Sequence, residues 1–167
     1  MIKINVAEIK RKLVGEKSLR FTLTAEELEI SPEELRLLTP VEVEGTMSNV
    51  GDVLLLNVVL TAEVQRSCAR CLKEFSACTK AEALEKFYPV GRDNLEDDAF
   101  VYDSDVIDIT EPLRESLLLA EPMQVLCRQD CRGLCTVCGA DLNDGDCGCD
   151  RTTVDPRLAA LKQFIKH

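Results

Sequence analysis

In one long segment of the chain, from Leu54 to Gln65, every second residue is apolar. Its even-numbered positions carry Leu54, Leu56, Val58, Leu60, Ala62 and Val64. The polar residues Asn57, Thr61 and Glu63 fall on the opposite face. A repeat of two residues is typical of a β-strand with one buried face. The pattern therefore predicts a strand that contributes one face to a hydrophobic core.

Two shorter segments ahead of this strand show the same repeat. The stretch "VEVEGTMS" (Val41–Ser48) begins with alternating valines and acids, and "SLRFTLT" (Ser18–Thr24) aligns its leucines and phenylalanine on one face. Between the first of these and Leu54, "NVGD" (Asn49–Asp52) supplies residues that favour a turn. We expect the strands on either side of this turn to form an antiparallel hairpin, with "SLRFTLT" as a third strand.

A fourth strand is predicted after "RSCARCLK", where alternation resumes. The residues in step there are Phe75, Ala77, Thr79 and Ala81. This strand would return alongside the preceding one, so Cys68 and Cys71 are predicted at the tip of a hairpin. Cys78 stands apart from the other cysteines, and we expect it to be packed in the core.

Two later segments carry helical spacing and helix start signals. In "DITEPLRESLLLAEP", Thr110 is a candidate N-cap and Pro112 fits the first turn, which predicts a helix near residues 111–121. In "VDPRLAALKQFIK", Asp155 is a candidate N-cap and Pro156 the first helical residue. A short terminal helix is predicted there.

These elements together predict an α+β fold. It consists of an antiparallel sheet curled towards a barrel, a few helices and a C-terminal cysteine-rich zinc-knuckle element. We expect a mainly antiparallel β domain over residues 1–122, including the helix near 111–121, and a metal-binding element with a terminal helix over residues 123–167. The 167 residues, 46% of them apolar, suffice for a core.

Charge and hydropathy narrow the classes of partner. No apolar run follows the lysines of "MIKINVAEIKRKL", and no segment approaches the roughly 18 apolar residues that a membrane span requires. We therefore expect a cytoplasmic protein without a membrane partner. A formal net charge of -10 and a pI near 4.7 argue against a protein that coats nucleic-acid phosphates.

The acidic residues concentrate between Ala81 and Glu111. This stretch holds ten acidic and two basic residues, a net charge of -8. Two interpretations are open, a solvated loop and a docking surface for a basic protein.

Six of the nine cysteines lie in "CRQDCRGLCTVCGADLNDGDCGC", from Cys127 to Cys149, and the chain has one histidine. In a reducing compartment such a density favours metal binding or redox chemistry over disulfides. In "CTVCG", two cysteines separated by two residues can bind one tetrahedral ion, and the following glycine permits a tight turn. The candidate ligands, of which four would bind one ion, are Cys127, Cys131, Cys135, Cys138, Cys147 and Cys149.

The second pair of ligands and the type of metal are separate questions. The "CTVCG" turn is of the kind called a zinc knuckle. Either "CGC" or the upstream Cys127 and Cys131 could supply the two further ligands that this turn needs. Zinc is favoured over an iron–sulfur cluster, since no run such as C-x2-C-x2-C is present. A structural role is favoured over a catalytic one, because the only histidine is the terminal His167.

The pair in "CARC", Cys68 and Cys71, has two interpretations. It could complete a split four-cysteine site with Cys135 and Cys138, or it could be a free dithiol. A redox C-x2-C motif normally opens a helix that lowers the thiol pKa, and this pair lies between predicted strands. Three basic residues surround the pair, and they are either solvated or contact RNA phosphates or the carboxylates of a partner: Arg66, Arg70 and Lys73.

Three motifs of the chain resemble the YceD family. They are "RSCARCLKEF", "EPMQVLCRQDCRGLCTVCGADLNDGDCGC" and "VDPRLAALKQF". The resemblance implies a non-catalytic factor in large ribosomal subunit biogenesis, acting in 23S ribosomal RNA accumulation or processing. Its expected partners are a basic ribosomal protein, 23S ribosomal RNA or both, with no small-molecule substrate.

By position in the motifs, the resemblance matches Cys68, Arg70 and Cys71 of the first motif to the family. In the second motif it matches the six cysteines from Cys127 to Cys149. It does not identify which of them bind metal. The alternative function is a thiol redox enzyme or a zinc metallochaperone that uses Cys68 and Cys71.

Overall fold

The structure is a computed structural model that describes residues 1–12, 14–51, 53–92, 95, 99–151 and 157. Apart from Arg157, the predicted terminal helix, with Asp155, Pro156 and His167, lies outside the described residues. In chain order the elements are β1 (Lys3–Asn5), α1 (Ala7–Lys10), β2 (Val14–Leu23), β3 (Arg36–Leu37), β4 (Val41–Val50), β5 (Leu54–Ser67), β6 (Glu74–Pro89), β7 (Phe100–Tyr102), β8 (Val106–Asp108) and α2 (Thr110–Leu119).

The main sheet of the described residues has the strand order β2-β4-β5-β6-β7, and β3 pairs with β5 off this path. β2, β4 and β5 pair antiparallel, and β6 and β7 pair parallel. In this part of the chain the edge strands β2 and β7 do not pair, so the sheet is open rather than closed into a barrel. The predicted α+β fold with an antiparallel sheet is confirmed.

Alternate residues of β5 are buried in the core, as the sequence predicts. The apolar face of β5 is buried, and Val58 and Leu60 are fully shielded from solvent. The helix α2 packs against β6 and buries Leu113 and Leu117. Removing this apolar surface from water is the main favourable contribution to folding.

The helix α2 begins differently from the prediction. Thr110 is its first residue rather than its N-cap, and the N-cap residue, Ile109, makes no side-chain capping bond. The Thr110 hydroxyl donates to Asp108 Oδ1 at 2.6 Å and accepts the Ile2 amide at 2.6 Å. Because the hydroxyl is already engaged by these two groups, it does not cap the helix.

The turn predicted at Asn49–Asp52 is shifted. Asn49 and Val50 belong to β4, and the bend falls at Gly51, whose φ of 81° favours glycine. Asn49 is buried, and its Nδ2 donates to the carbonyls of Ile9, at 3.1 Å, and Lys12, at 2.8 Å. Those bonds satisfy a polar side chain that would otherwise be costly to bury.

The chain forms two compact units. One comprises Met1–Arg66 and Glu74–Met123, and the other Ser67–Lys73 and Gln124–His167. The predicted division into domains at residue 122 stays a prediction. No helix of the described ranges is both long enough and apolar enough to cross a membrane.

Candidate metal centres

Four cysteines from the two segments of the second unit converge in one place. We call them the inner site: Cys68, Cys71, Cys127 and Cys131. All four Sγ atoms lie within 4.8 Å of one another. The hairpin between β5 and β6 positions the first two at its tip, as predicted. Three of the four are buried, and Cys127 is half-buried.

The sulfur separations of the inner site fit a single tetrahedral ion. The Sγ atoms of Cys68 and Cys131 are 3.7 Å apart, as are those of Cys71 and Cys127. Four sulfurs at about 2.3 Å from a zinc ion would be about 3.8 Å from one another. A disulfide would need about 2.05 Å. Sulfurs this close leave no room among them for a cluster of several iron and sulfide atoms.

The remaining four cysteines of the C-terminal motif form a second group within 4.8 Å of one another. We call it the outer site: Cys135, Cys138, Cys147 and Cys149. Cys135 is buried, Cys138 is exposed and the other two are half-buried. The structure thus brings the "CTVCG" pair together with "CGC", and Cys127 and Cys131 with the hairpin pair. None of the nine cysteines, all of which are described, forms a disulfide.

The two C-x2-C turns have the same internal hydrogen bonding. In the inner site the Arg70 amide donates to Cys68 Sγ at 3.5 Å, and in the outer site the Val137 amide donates to Cys135 Sγ at 3.4 Å. A backbone N–H aimed at a sulfur favours its thiolate form. Each turn is therefore preorganised to present one thiolate to a cation.

The residue after each turn has a left-handed backbone. Gly139 has a φ of 76° and Leu72 a φ of 60°. Their amides donate to the carbonyls of Cys135 and Cys68, at 2.9 and 3.0 Å. Glycine adopts this conformation without steric cost, whereas leucine does not. The hairpin turn is thus a second knuckle, which the missing glycine concealed in the sequence.

Within each site the pKa values of the thiols diverge. The backbone N–H of Cys127 lowers the pKa of Cys68 to about 6, and that of Cys138 lowers the pKa of Cys135 to about 6. Burial raises the pKa of Cys127 to about 12, and a hydrogen bond with the Cys138 thiol raises the pKa of Cys149 to about 12. Clustered thiolates repel one another, so full ionisation of either site requires a cation among the sulfurs.

Backbone and side-chain bonds join the hairpin tip to the C-terminal segment inside the second unit. Arg70 Nη1 donates to the Cys131 carbonyl at 2.8 Å, and the Leu134 amide donates to the Arg70 carbonyl at 3.2 Å. A Cβ at Gly133 would lie 3.0 Å from that same Arg70 carbonyl oxygen. The φ of 75° at Gly133 also favours glycine. The close approach of Gly133 to the Arg70 carbonyl therefore requires a glycine at this position.

The three basic residues predicted to bind a partner each have a partner inside the chain. Arg66 Nη2 donates to Glu121 Oε1 at 2.5 Å, and its side chain is only 11% exposed. Lys73 forms an ion pair with Asp141 at 2.7 Å, and this hydrogen bond lowers the pKa of Asp141 to about 2. Arg70 is exposed and bonded to a carbonyl, as described above. Binding of an external partner by these residues stays a prediction.

Cys78 is exposed, and the prediction that it packs in the core is wrong. Thr79, the next residue of β6, is buried. Since neighbouring residues of a strand point to opposite faces, the burial of Thr79 leaves Cys78 on the solvent side.

The acidic stretch from Ala81 to Glu111 is partly engaged within the chain. Asp105 forms an ion pair with Lys10 at 2.8 Å, and that bond lowers the pKa of Asp105. Residues 93, 94 and 96–98 of the stretch lie outside the described ranges.

Comparisons with known proteins place these sites inside a matched region. The model of the family described as "Large ribosomal RNA subunit accumulation protein YceD" matches residues 56–165, which include all eight cysteines of the two sites. The chain is 28% identical over 158 residues to "Uncharacterized protein YlbN" of Bacillus subtilis (strain 168), covering 90% of each chain.

Two mycobacterial proteins, both named as uncharacterized, are also similar. One, from Mycobacterium tuberculosis (strain H37Rv), is 28% identical over 123 residues, which are 71% of this chain and 59% of the relative. The other, from Mycobacterium leprae (strain TN), is 26% identical over 130 residues, 75% and 59% of the respective chains. No solved structure matches this chain.

Proposed function

This chain belongs to the YceD family of large ribosomal RNA subunit accumulation proteins, and we propose that it is a non-catalytic factor in large-subunit biogenesis. It supports the accumulation or processing of 23S ribosomal RNA in the cytoplasm by docking to ribosomal components. The observation that carries the proposal is the pair of four-cysteine sites within the family-matched region. Such sites give a small unit the rigidity that a docking scaffold needs.

We propose zinc as the ion of both sites, with the inner and the outer four cysteines as its ligands. Four thiolates in a tetrahedral arrangement are a donor set typical of structural zinc. When bound, the ion would supply positive charge and a rigid link between the thiolates. The thiol pKa values, lowered at Cys68 and raised at Cys127, support the need for that charge.

The composition of the second unit's interior supports a structural role for the metal. Among the described residues of this unit, the buried hydrophobic ones are Cys68, Cys71, Cys131, Cys135 and Leu142. A single leucine buries too little apolar surface to offset the entropy of ordering the unit. Metal binding would supply the missing free energy of folding.

Burial of the hairpin cysteines favours a ligand role over redox catalysis. Cys68 is 0% and Cys71 4% exposed. Thiol–disulfide exchange requires a thiolate that a substrate disulfide can reach, and these sulfurs face other sulfurs instead. This argues for a non-catalytic protein over a thiol redox enzyme.

We propose docking through two regions of opposite charge. The acidic stretch from Ala81 to Glu111 would engage a basic ribosomal protein, and the exposed Arg70 would contact RNA. Charge-led docking weakens as salt screens the charges. Capture of large-subunit proteins by the purified chain should therefore fall steeply between low and high salt. Capture that is equal at the two salt concentrations would contradict charge-led docking.

The biogenesis role is tested in cells of the native host that lack this chain. We expect them to hold less 23S relative to 16S ribosomal RNA. Wild type and Cys78→Ser, which alters an exposed thiol outside both sites, should restore the ratio, and Cys131→Ser should not. An unchanged ratio in cells without the chain would overturn the proposed function.

A further inference from the structure

One side chain of the outer-site loop contacts a sulfur of the inner site. Asn143 lies in the eight-residue loop between Cys138 and Cys147. Its Nδ2 approaches Cys131 Sγ at 3.6 Å. Asn143 thus belongs by sequence to one site and by hydrogen bonding to the other.

The orientation of the Asn143 amide is fixed by its other partners. Its Oδ1 accepts the Arg132 amide at 2.8 Å and Arg128 Nη2 at 2.7 Å. Both of those groups are donors, so the oxygen must face them. The NH₂ group then faces Cys131 Sγ and Asp141 Oδ1, which is 2.6 Å away. The amide is half-buried and is aimed at the sulfur as a donor.

The backbone of the loop is anchored at its start by two hydrogen bonds. The Cys135 amide donates to the Ala140 carbonyl at 2.8 Å, and the Leu142 amide to the Gly133 carbonyl at 2.9 Å. Beyond Asn143, the loop contains Gly145 and leads to Cys147 and Cys149 of the outer site. An ion that joined those two cysteines to Cys135 and Cys138 would close the loop on both sides of Asn143.

We propose that Asn143 couples the two sites, so that an ion in the outer site strengthens the retention of an ion in the inner site. This rests on the proposed binding of metal by both sites. Closing the loop restricts the positions open to Asn143, and it thereby lowers the entropic cost of its bond to Cys131. An N–H bond to a metal-bound thiolate stabilises the ligand charge, as outer-shell partners commonly do. Asn143 is a positioning residue in this account.

The test follows release of each ion separately from the full-length chain. The protein is loaded with cadmium-113, a zinc substitute, and each resonance is assigned by its coupling to the cysteine protons of its site. Release into excess EDTA is then timed for wild type, for Asn143→Asp and for a chain whose outer site is disabled by Cys138→Ser and Cys149→Ser. A fourth chain combines all three changes.

We expect Asn143→Asp to release the inner ion about 10-fold to 100-fold faster than wild type. Asn143→Ala, which removes the amide without adding charge, should act in the same direction. Disabling the outer site should also accelerate inner-site release. Adding Asn143→Asp to that chain should accelerate inner-site release less than the same change does in wild type, because the outer-site changes have already weakened the same hydrogen bond.

Two controls separate this role from general damage. Asn57→Asp makes the same chemical change at an exposed position of β5, remote in sequence from every cysteine of either site, and should alter neither rate. Because coupling between two binding sites is reciprocal, Asn143→Asp should also speed outer-site release while the inner ion is bound, but not in a chain whose inner site is disabled by Cys131→Ser. A residue that only held the loop together would loosen the outer ion in both chains.

Specific outcomes would overturn the proposal. Inner-site release that is unchanged by Asn143→Asp would do so, as would additive effects of the outer-site and Asn143 changes. If the chain with a disabled outer site held no inner ion, the proposal would be tested by inner-site release in Asn143→Asp compared with wild type. A chain that binds no ion at either site would instead contradict the proposed metal-binding role itself.

Discussion

The sulfur atoms of Cys68 and Cys131 lie 3.7 Å apart although 63 positions separate the two residues in the sequence. Closing so long a loop costs chain entropy, and few buried apolar residues surround the sulfurs to offset that cost. A shared cation would offset it. The arrangement therefore favours a site whose formation and metal binding are one event.

The first prediction concerns the number of ions per chain. Cys131→Ser removes one of the four inner-site sulfurs, and we expect native mass spectrometry to find one ion fewer per chain than in wild type. Cys78→Ser, which also removes one thiol, should leave the number unchanged, because Cys78 belongs to neither site. Equal ion counts in the two variants would refute the assignment.

The second prediction concerns metal removal. A chelator should abolish hydrogen-exchange protection in the second unit while the strands β4 and β5 keep theirs, because the first unit has its own hydrophobic core. Two amides of the second unit report on this loss. The Ala69 amide donates a hydrogen bond to the Val125 carbonyl at 2.8 Å, and the Cys135 amide to the Ala140 carbonyl at 2.8 Å. Protection that persists in both, or a loss spread evenly over the two units, would contradict a structural metal.

Much of the sheet could be predicted from the sequence because a strand with one buried face imposes a repeat of two. β5 shows that repeat from Leu54 to Val64, and the hairpin with β6 follows from it. Single residues that depend on tertiary partners could not be predicted in this way. Asn49 is buried and donates to two backbone carbonyls of a distant segment, and no local sequence pattern reveals these bonds.

The third prediction concerns strain at Leu72. Its left-handed backbone costs leucine more than glycine, and its side chain is 65% exposed, so little burial would be lost on truncation. We expect Leu72→Gly to raise the free energy of unfolding of the metal-loaded chain by about 1 kcal/mol. Urea titration at a fixed free zinc concentration measures this.

Leu72→Ala is the matched control for strain. It shortens the same side chain but retains a Cβ, so the backbone strain should persist and stability should not rise. A gain in Leu72→Ala equal to that in Leu72→Gly would show that the leucine side chain, rather than the backbone, is unfavourable.

The fourth prediction concerns the ion pair between Arg66 and Glu121. Glu121→Gln keeps the shape of the side chain but leaves the guanidinium of Arg66 without a charge partner, and the Arg66 side chain is 11% exposed. We expect the free energy of unfolding to fall by about 2 kcal/mol, below the cost for a fully buried pair because Glu121 is 25% exposed. Urea unfolding gives the value.

The control for this change lies on α2, which ends two residues before Glu121. Glu115 is exposed, so Glu115→Gln should alter the free energy of unfolding by less than about 0.5 kcal/mol. A loss of stability in Glu115→Gln as large as that in Glu121→Gln would mean that the loss of a negative charge in this segment, not the pair with Arg66, is responsible.

The candidate ligands could be named from the sequence, but their grouping could not. Spacing shows that each C-x2-C pair can bind one ion, and it leaves open which second pair completes each site. That choice is made by tertiary structure, because the β5–β6 hairpin carries Cys68 and Cys71 to Cys127 and Cys131. The bond from Asn143 to Cys131 is equally invisible in the sequence, since it depends on the fold of the outer-site loop.

The central claim is that eight of the nine cysteines hold two ions. Native mass spectrometry of the purified chain tests it most directly. We predict a mass that corresponds to two zinc ions per chain, with only the thiol of Cys78 open to alkylation before a chelator is added. A metal-free chain in which all nine thiols react at once would contradict the account.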